Sequence, residues 1–389
     1  MQHLLVTLDF IPDLSGAARR FVALARCYPE PMSVSTVASR DAAAYDSRED
    51  YTIERQPFSE ASASSFIARF RWERWLATRA RGRVHVLHCT DIATTGRITR
   101  RAHKRLRVPY ILHVSGPELS RMRVRARTAR SARRTLRLVL GDASGIVAPT
   151  EYVAAIARET MTEINLSYPP PVLAAGLGAD AELFSPGRDS GSLRQRWGIR
   201  RAPIMLTVGQ LLPGNGQDTG IRALALLRDD FPHLRYVLVG EGSDEIRLRN
   251  LAADLHVLDR VGFAGAMRDD ELPEAYATST LYLDAARQAT EPGAEGYGLA
   301  LIEAQAAGLP IVAPDGIPAR AVIRNAEAAA LLAVSSPEMV AESVAALLRD
   351  PDRRIAMSLA GREAVEGHMN WTRVARDTAR FVRECVANG

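Results

Sequence analysis

Residues 291–316 read EPGAEGYGLALIEAQAAGLPIVAPDG and are the most informative stretch for the architecture of this chain. A glycine-rich loop leads directly into an amphipathic helix predicted at 299–308, and an apolar strand follows at 309–316. A loop of this kind at a helix N-terminus offers free backbone N–H groups and the positive end of the helix dipole. The stretch therefore predicts a helix-to-strand unit of an α/β sheet with an anion-binding loop at its edge.

The same alternation of short apolar runs and helical stretches recurs along the whole chain. Strands are predicted at 4–10, 84–90, 108–116 and 143–150, and in a second series at 203–210, 234–242, 261–265, 279–285 and 309–316. Helices are predicted between them, as at 17–25, 219–230 and 299–308. Two such series predict an α/β protein with two doubly wound, Rossmann-like domains. Ligands of such sheets bind beyond the carboxyl ends of the strands, which places the expected site in a cleft between the domains.

A segment rich in Gly, Ser, Pro and Arg at 184–203 marks the expected join between the two domains. We therefore predict one domain at 1–186 and another at 187–370. Of the 389 residues, 47% are hydrophobic and 24% are charged, which excludes disordered, collagen-like and coiled-coil classes. No apolar run reaches the roughly 18 residues of a membrane span, and no leader is recognised at the N-terminus. Together with three widely spaced cysteines, these features predict a cytoplasmic globular protein.

Basic residues are concentrated in one part of the chain. Residues 66–137 contain 20 Lys and Arg but three Asp and Glu, whereas the whole chain has a net charge of +5. The segments FIARFRWERWL (66–76) and RMRVRARTARSARRTLR (121–137) read as helices that hold the first domain on the inner face of an anionic membrane. The alternatives are a solvated basic face and an acidic soluble acceptor. No nucleic-acid reader motif accompanies the patch, so nucleic acid is not expected as a partner.

Two carboxylates flank the glycine-rich loop. Glu295 precedes it and Glu303 lies in the following helix, separated from Glu295 by seven residues that include Gly296 and Gly298. Carboxylates accept hydrogen bonds from the hydroxyls of a polyol, and the loop suits a phosphate. The arrangement fits a ligand in which a sugar is joined through a diphosphate to a ribose. The alternative is that Glu295 caps the helix and Glu303 is a solvated helix charge.

With this segment in register, the chain resembles the retaining glycosyltransferases of family 4, which have the GT-B fold. Their Glu-x7-Glu segment reads roughly E-G-x-G-x-x-x-x-E-A-x-A-x-G-x-P-V-V-A. The residues that match it here are Glu295, Gly296, Gly298, Glu303, Ala304, Ala306, Gly308, Pro310, Ile311, Val312 and Ala313. The segments 8–20, 173–186, 207–224, 237–242 and 261–286 are similar to further family blocks in the same order. Among family members the chain looks most like phosphatidylinositol mannosyltransferases and related actinobacterial enzymes.

The resemblance implies transfer of a hexosyl group from a nucleotide sugar, with UDP or GDP, to a lipid or small-molecule acceptor of glycolipid or natural-product biosynthesis. It implies retention of anomeric configuration without a metal or another cofactor. Glu295 would contact the donor sugar, the amides of Gly298 and Leu299 the distal phosphate, and Glu303 the ribose. Further donor-site positions are Gly16, Gly209, Gln210, Asn215, Glu241, Gly296 and Tyr297. By the same resemblance, a helix from Trp371 crosses back onto the first domain (371–389).

The chain departs from the family at two phosphate-binding positions. Gln210 and Asn215 stand where the family has Arg and Lys, so two charge-assisted hydrogen bonds to the diphosphate are missing. One interpretation is that a nearby basic residue replaces them, for which the candidates are Arg222, Arg287 and Arg320. Otherwise the donor is unusual, or the chain is a degenerate, non-catalytic binding or partner protein. These alternatives stay open at this point.

The acceptor side of the site is expected in the first domain. Ser15 and Gly16 stand where the family has paired glycines, which crowds one amide. Ser115 occupies the position of a family histidine, and His113 lies two residues earlier on the same face of the predicted strand. His113 is therefore the catalytic candidate and Ser15, His88 and Ser115 are acceptor-site candidates. The alternative for both histidines is a place in the core.

Overall fold

The computed structural model describes residues 1–12, 15–40, 42–199, 201–286, 298–333 and 336–387. These residues form two compact units. Of the described residues, those in 1–177 and 371–387 form the first unit, and those in 178–286 and 298–370 form the second. The N-terminal segment of the first unit ends at Leu177, before the boundary at 186 that the sequence predicts.

The first unit contains a seven-stranded parallel sheet in the order β3-β2-β1-β4-β5-β6-β7. Its strands are β1 (His3–Val6), β2 (Met32–Val37), β3 (Ile53–Gln56), β4 (Val86–Cys89), β5 (Tyr110–His113), β6 (Gly145–Ala148) and β7 (Val172–Ala174). All four residues of β1, β4, β5 and β6 are buried, as expected for strands covered by helices on both faces.

The helices between these strands are α1 (Gly16–Cys27), α2 (Ala42–Asp46), α3 (Glu60–Ala63), α4 (Phe66–Ala80), α5 (Thr95–Leu106), α6 (Gly116–Thr128), α7 (Arg130–Gly141) and α8 (Glu151–Glu163). Four of these eight helices begin at a Ser or Thr side chain that accepts a hydrogen bond from an amide of the first turn, namely Ser15, Ser65, Ser115 and Thr150. A final helix, Trp371–Ala387, belongs to this unit and packs against α1.

The second unit contains a six-stranded parallel sheet in the order β10-β9-β8-β11-β12-β13. Its strands are β8 (Ile204–Val208), β9 (Arg235–Val239), β10 (Val261–Gly265), β11 (Leu281–Leu283), β12 (Ile311–Pro314) and β13 (Ala329–Leu332). In chain order the strands are arranged 3-2-1-4-5-6, which is the order of the dinucleotide-binding fold. Tyr236, Leu238, Leu281 and Val312 lie in the buried core of this unit.

The helices of the second unit complete its layers. They are α9 (Ser192–Arg196), α10 (Gln217–Leu226), α11 (Glu245–Asp254), α12 (Leu272–Ala277), α13 (Leu299–Ala306), α14 (Ile317–Val322), α15 (Pro337–Arg349) and α16 (Pro351–His368), so that the final helix of the chain is α17. Short 3-10 turns lie at Pro186–Arg188, Leu258–Arg260 and Ala326–Ala328. Among the described helices, none is both long enough and apolar enough to cross a bilayer.

The predicted α/β class with two doubly wound sheets is confirmed, and each of the nine predicted strands is present. The sequence analysis missed β2, β3, β7 and β13. The strand β3 reads IERQ and has a single buried residue, while β7 is three residues long and half-buried throughout. Short or polar edge strands have too few apolar residues to produce a periodic signal.

The predicted helix over 121–137 is wrong in one respect. Ala129 has extended backbone angles (φ −112°, ψ 109°) and separates α6 from α7. Two helices with independent directions cannot present the single arginine face that one helical wheel indicates.

Candidate functional site

Both sheets reverse their direction of growth next to their first strand, between β1 and β4 in the first unit and between β8 and β11 in the second. Parallel doubly wound sheets bind ligands at the carboxyl ends of the strands beside such a reversal. The candidate site residues lie at these two edges, and each edge is described here by itself.

At the edge of the second unit, the loop after β8 is held by its own side chains. The Asn215 side-chain amide donates a hydrogen bond to the carbonyl oxygen of Gln210 at 2.9 Å, and Gln217 donates another at 3.0 Å. The structure therefore brings the two predicted donor-site residues Gln210 and Asn215 together in one exposed loop, with Gly209 beside them. Gln217 is buried and was missed in the sequence analysis, because a glutamine at the start of a predicted helix does not stand out as a binding residue.

Glycines let the backbone segments of this edge approach each other closely. Gly216 has φ +81°, and a Cβ there would lie 1.9 Å from the carbonyl oxygen of Ala285, at the end of β11. A Cβ on Gly240 would lie 2.1 Å from the carbonyl oxygen of Gly209. The loops after β8, β9 and β11 are thus in backbone contact, which leaves main-chain groups rather than side chains at the edge.

The helix α13 begins at this edge. Gly298 precedes it in the left-handed conformation (φ +74°, ψ 15°), and the amides of the following first turn, beginning at Leu299, lack intrahelical acceptors. Glu303 is 4% exposed, and its Oε2 accepts a hydrogen bond from the Tyr276 hydroxyl at 2.9 Å. The alternative of a solvated helix charge at Glu303 is therefore wrong. Tyr276 is fully buried and was missed, since nothing in the sequence joins it to Glu303.

Glu295, Gly296 and Tyr297 lie outside the described residues, as does Arg287. Two other basic candidates for the missing phosphate ligands are described. Arg222 lies exposed on α10, and the Arg320 guanidinium forms a double hydrogen bond with Asp315, at 2.6 and 2.8 Å. Arg320 is thus already engaged by a carboxylate.

Two carboxylates occupy the neighbouring loops of the same edge. Glu241 is exposed, and its Oε1 accepts a hydrogen bond from the amide of Ala266 at 3.4 Å. Asp284 follows β11 directly, and its Oδ1 accepts from the amide of Ala286 at 3.0 Å. Burial raises the pKa of the Asp284 carboxyl. Asp284 was missed, because a lone Asp after a strand is common in loops.

The edge of the first unit is built from side chains. Ser15 caps α1, whose first residue is Gly16, and its Oγ accepts a hydrogen bond from the amide of Ala18 at 3.2 Å. Ser115 caps α6 and accepts from the amide of Glu118 at 3.4 Å. Ser115 therefore lies beyond the end of β5, whereas the sequence analysis predicted it on the same strand as His113.

The two candidate histidines are buried and joined. His88 is fully buried in β4, and its Nδ1 lies 3.0 Å from Nε2 of His113 at the end of β5. The other ring nitrogen of His88 lies 3.0 Å from His3. Because both ring nitrogens of His88 are engaged by other histidines, His88 has no hydrogen-bonding atom left for an acceptor, and the prediction for His88 is wrong. Burial lowers the pKa of His113 to about 3, with the nearby charge of Arg20 acting in the same direction.

A carboxylate pair lies between the loops after β4 and β5. Asp91 accepts hydrogen bonds from the amides of Thr94 and Thr95, and Glu118 accepts from the amides of Ile92 and Ala93 through Oε1. Burial and the negative charge of Asp91 raise the pKa of Glu118 to about 8. The sequence analysis missed this pair, because its two members belong to different motifs.

Several residues of the two basic segments, 66–76 and 121–137, are engaged in contacts within the first unit. Trp72, expected at a membrane interface, is fully buried and donates a hydrogen bond from its indole to Ser35 at 2.9 Å. In the second segment Arg123 and Arg127 form ion pairs with Glu163. By contrast, Phe66, Ile67 and Phe70 in the first half of α4 are 72%, 71% and 49% exposed.

The sheet order, the glycine-lined edge and the carboxylate beneath a helix N-terminus define a doubly wound α/β protein of nucleotide-binding type. Two family models match it: "Glycosyl transferase 4-like domain" at 15–163 and "Glycosyl transferases group 1" at 189–364. The chain belongs to the family 4-type glycosyltransferases, as the sequence analysis predicts.

Curated relatives include mannosyltransferases. The GDP-mannose-dependent α-(1-6)-phosphatidylinositol monomannoside mannosyltransferase of Mycobacterium tuberculosis is 32% identical over 259 residues, which cover 65% of each chain. The chain thus spans just under two thirds of that relative's length. The Mycolicibacterium smegmatis protein of the same name is 28% identical over 389 residues, which cover 96% of each chain. A D-inositol 3-phosphate glycosyltransferase of Acidothermus cellulolyticus is 29% identical over 64% of this chain and 57% of its own.

Solved structures share the fold over nearly the full length. Anabaena Alr3699/HepE, in complex with UDP and glucose, has a TM-score of 0.76 at 18% identity and covers 97% of this chain and 99% of its own. Sucrose-phosphate synthase from Thermosynechococcus elongatus has a TM-score of 0.77 at 17% identity, with 100% of both chains covered. These similarities are to GT-B glycosyltransferases, so the predicted fold is confirmed.

Proposed function

We propose that this chain transfers a hexosyl group from a nucleotide sugar to a hydroxyl of an inositol-containing or lipid-linked acceptor. The observation that carries the proposal is the edge of the second sheet, where the first turn of α13 follows Gly298 and a buried Glu303 lies one turn further. The amides of a helix N-terminus suit a diphosphate, and a carboxylate held in place by Tyr276 suits the hydroxyls of a ribose.

We propose GDP-mannose as the donor. The relatives from the two mycobacterial species are named as GDP-mannose-dependent and match this chain at 32% and 28% identity. The structure solved with UDP matches at 18% identity, where similarity informs the fold alone. Both mycobacterial relatives are named as mannosyltransferases, so they offer no support for a non-catalytic binding protein.

We further propose that transfer proceeds with retention of configuration and without a metal ion. The helix N-terminus of α13 supplies fixed dipoles where negative charge develops on the leaving diphosphate. In this mechanism Glu295 contacts the donor sugar, and the acceptor hydroxyl attacks from the face that the diphosphate leaves. The enzyme then has to position two substrates and stabilise the leaving group.

Calorimetric titration of the purified chain with GDP and UDP tests the donor site. We expect GDP to bind more tightly than UDP, and Glu303→Gln to weaken GDP binding by about 10-fold or more through loss of a charge-assisted hydrogen bond. The matched control is Glu245→Gln, whose carboxylate pairs with Arg249 on the surface of α11 in the same unit. Equal affinities of the wild type and Glu303→Gln would contradict the assignment, and a chain that binds neither nucleotide would be the non-catalytic alternative.

Product analysis tests the chemistry. Incubation with GDP-mannose and phosphatidylinositol, followed by proton NMR of the product, is expected to give the α-anomer, which is the anomeric form of the donor. Turnover is expected to be unchanged by EDTA. An inverted product or loss of activity in EDTA would contradict the corresponding part of the mechanism.

We propose that the start of α4 contacts the cytoplasmic face of an anionic membrane. Phe66, Ile67 and Phe70 form an exposed apolar surface, and the Arg74 guanidinium lies 5.9 Å from the centre of the Phe70 ring. Apolar side chains beside arginines suit the boundary between lipid headgroups and acyl chains. This surface replaces the predicted one, because Trp72 is in the core and 121–137 is divided into two helices.

Co-sedimentation with vesicles tests this contact. Vesicles that contain phosphatidylinositol should bind the wild type more than vesicles of phosphatidylcholine alone. The double variant Phe66→Ser/Ile67→Ser should lose this binding. Ile246→Ser, which removes a side chain that is 76% exposed on α11, is the matched control and should bind as the wild type does. Equal sedimentation of the double variant and the wild type would contradict the membrane contact.

A further inference from the structure

Three buried histidines and one glutamate form a continuous hydrogen-bonded chain across the first sheet. His3 Nδ1 lies 3.0 Å from His88 Nε2, and His88 Nδ1 lies 3.0 Å from His113 Nε2. At the other end, His3 Nε2 lies 2.6 Å from Glu30 Oε2. We call these four residues the histidine chain.

Strand register explains how histidines from three strands meet. His3 is paired with Val86, two residues before His88, and His88 is paired with Ile111, two residues before His113. Side chains alternate along a strand, so a step of two residues keeps the same face. The chain therefore runs diagonally from the start of β1 to the carboxyl end of β5.

The surroundings of the histidine chain favour uncharged rings. His3 and His88 are fully buried and His113 is 1% exposed. Phe21 of α1 packs edge-on against His113 at 5.8 Å, and Tyr28 packs edge-on against both other rings. Burial lowers the pKa of each of the three imidazoles.

Glu30 is held ionised. Burial alone would raise the pKa of Glu30, but hydrogen bonds from His3 and Arg383 outweigh it and keep the pKa below its usual value. The N-terminal amino group of Met1 lies 3.3 Å from the same carboxylate. The other titratable or charged groups that face the chain are His85, Tyr28 and Arg20.

An ionised carboxylate can only accept hydrogen bonds, and this sets the position of every proton in the chain. His3 must donate from Nε2 to Glu30, so its Nδ1 carries a lone pair. His88 then donates from Nε2 to that lone pair, and His113 donates from Nε2 to Nδ1 of His88. The last nitrogen, Nδ1 of His113, is left without a proton.

This last nitrogen is also without a partner. Within the described part of the chain, Nδ1 of His113 is buried and has no hydrogen bond. A buried polar atom without a partner destabilises the folded chain, so it indicates a group that is supplied from elsewhere. Because the nitrogen has a lone pair and no proton, the group must be a donor such as a hydroxyl, and an ionised phosphate cannot satisfy it.

We propose that Glu30, His3 and His88 are positioning residues that hold His113 in one tautomer, so that its Nδ1 accepts a hydrogen bond from a hydroxyl of the sugar acceptor. The proposal rests on the proposed glycosyl transfer. It also provides a balanced route for a proton. When Nδ1 of His113 takes up a proton, one proton moves along each hydrogen bond of the histidine chain, and Glu30 receives the last one. All three imidazoles are then neutral, so no buried imidazolium remains.

NMR of the full-length protein labelled with ¹⁵N-histidine tests the tautomers without any substrate. Near neutral pH we expect all three rings to be neutral, with N–H at Nε2 and an imine-type nitrogen at Nδ1. In Glu30→Gln the amide can donate as well as accept, so the signals of His113 should change to a mixture of tautomers. Glu49→Gln is the matched control, since its carboxylate pairs with Arg26 in the same unit and does not touch the chain. A protonated Nδ1 in the wild type, or unchanged His113 signals in Glu30→Gln, would overturn the proposal.

Steady-state kinetics then test the role in transfer. Glu30→Gln should lower kcat by about 100-fold, as expected when the tautomer of a catalytic histidine is no longer fixed. The affinity for GDP should be unchanged, and Glu49→Gln should retain both values. Tautomers as predicted together with unchanged kcat would overturn the role of the chain. Absence of transfer in the wild type would instead contradict the proposed function, and the NMR result would still stand.

Discussion

The carboxyl edges of the two sheets occupy equivalent places in similar folds, but one is lined by backbone groups and the other by side chains. In the second unit, glycines bring backbone segments into contact, and main-chain groups line the edge. In the first unit, histidines, carboxylates and serine caps occupy the same place. A backbone-lined edge suits an invariant diphosphate, whereas a side-chain-lined edge can be adapted to one acceptor.

A single methyl group added to the backbone-lined edge of the second unit should destabilise the folded chain. Gly216→Ala should lower the free energy of unfolding by about 3 kcal/mol, because strain from a positive φ adds to the overlap with Ala285. Gly191→Ala is the control, since its φ is +79° but nothing lies within 4 Å of the new Cβ. It should cost about 1 kcal/mol. Equal costs in urea unfolding would mean that the close approach does not exist in solution.

Charges restored to the second edge should strengthen nucleotide binding. Gln210→Arg and Asn215→Lys should each tighten GDP binding by about 10-fold, because a charge-assisted hydrogen bond to phosphate is worth about 1.5–3 kcal/mol. Calorimetry of both single variants provides the measurement. Weaker binding would mean that Gln210 and Asn215 serve the native donor through their neutral side chains.

The first edge should make stability depend on pH. The folded-state pKa of Glu118 is raised to about 8, so the folded chain keeps a proton that the unfolded chain loses above about pH 4.5. The free energy of unfolding should therefore fall as pH rises through this window, by at most about 1.4 kcal/mol per pH unit. Urea unfolding at about pH 5 and about pH 8 measures the difference.

Glu118→Gln should flatten this dependence, since the amide does not titrate. Glu163→Gln is the control. Its hydrogen bond from Arg123 holds the pKa of Glu163 below the usual value, so its contribution is complete above pH 4.5 and is lost as pH falls. The same slope in the wild type and Glu118→Gln would exclude Glu118 as its source.

The smallest expected effect concerns two serine caps of the first unit, one at the carboxyl edge and one away from it. Ser15→Ala and Ser65→Ala each remove a 3.2 Å hydrogen bond to a helix amide and should each lower the free energy of unfolding by about 1 kcal/mol. Ser15 lies at the carboxyl edge and Ser65 caps α4. Only Ser15→Ala should raise KM for the acceptor, and a similar rise in Ser65→Ala would assign the effect to stability.

The two edges also differed in how far they could be predicted. Gly298 and Glu303 belong to one continuous motif, so the resemblance to a known family pointed to both residues. His3 and Glu30 belong to no motif, and His88 was assigned to the acceptor when it is an internal link of a buried chain. Trp72 was also misassigned from the sequence. An aromatic residue among arginines is typical of a membrane interface, and only the structure shows that Trp72 is buried and bonded to Ser35.

Local patterns along this chain specified the α/β class, nine of its strands and the two-sheet organisation, since each depends on neighbours within one helix or strand. Three-dimensional packing alone settled the break at Ala129, the bond between Tyr276 and Glu303, and the histidine chain. These features join residues far apart in sequence, and their proton positions follow from burial and strand register. The spacing of residues along the sequence shows neither burial nor strand register.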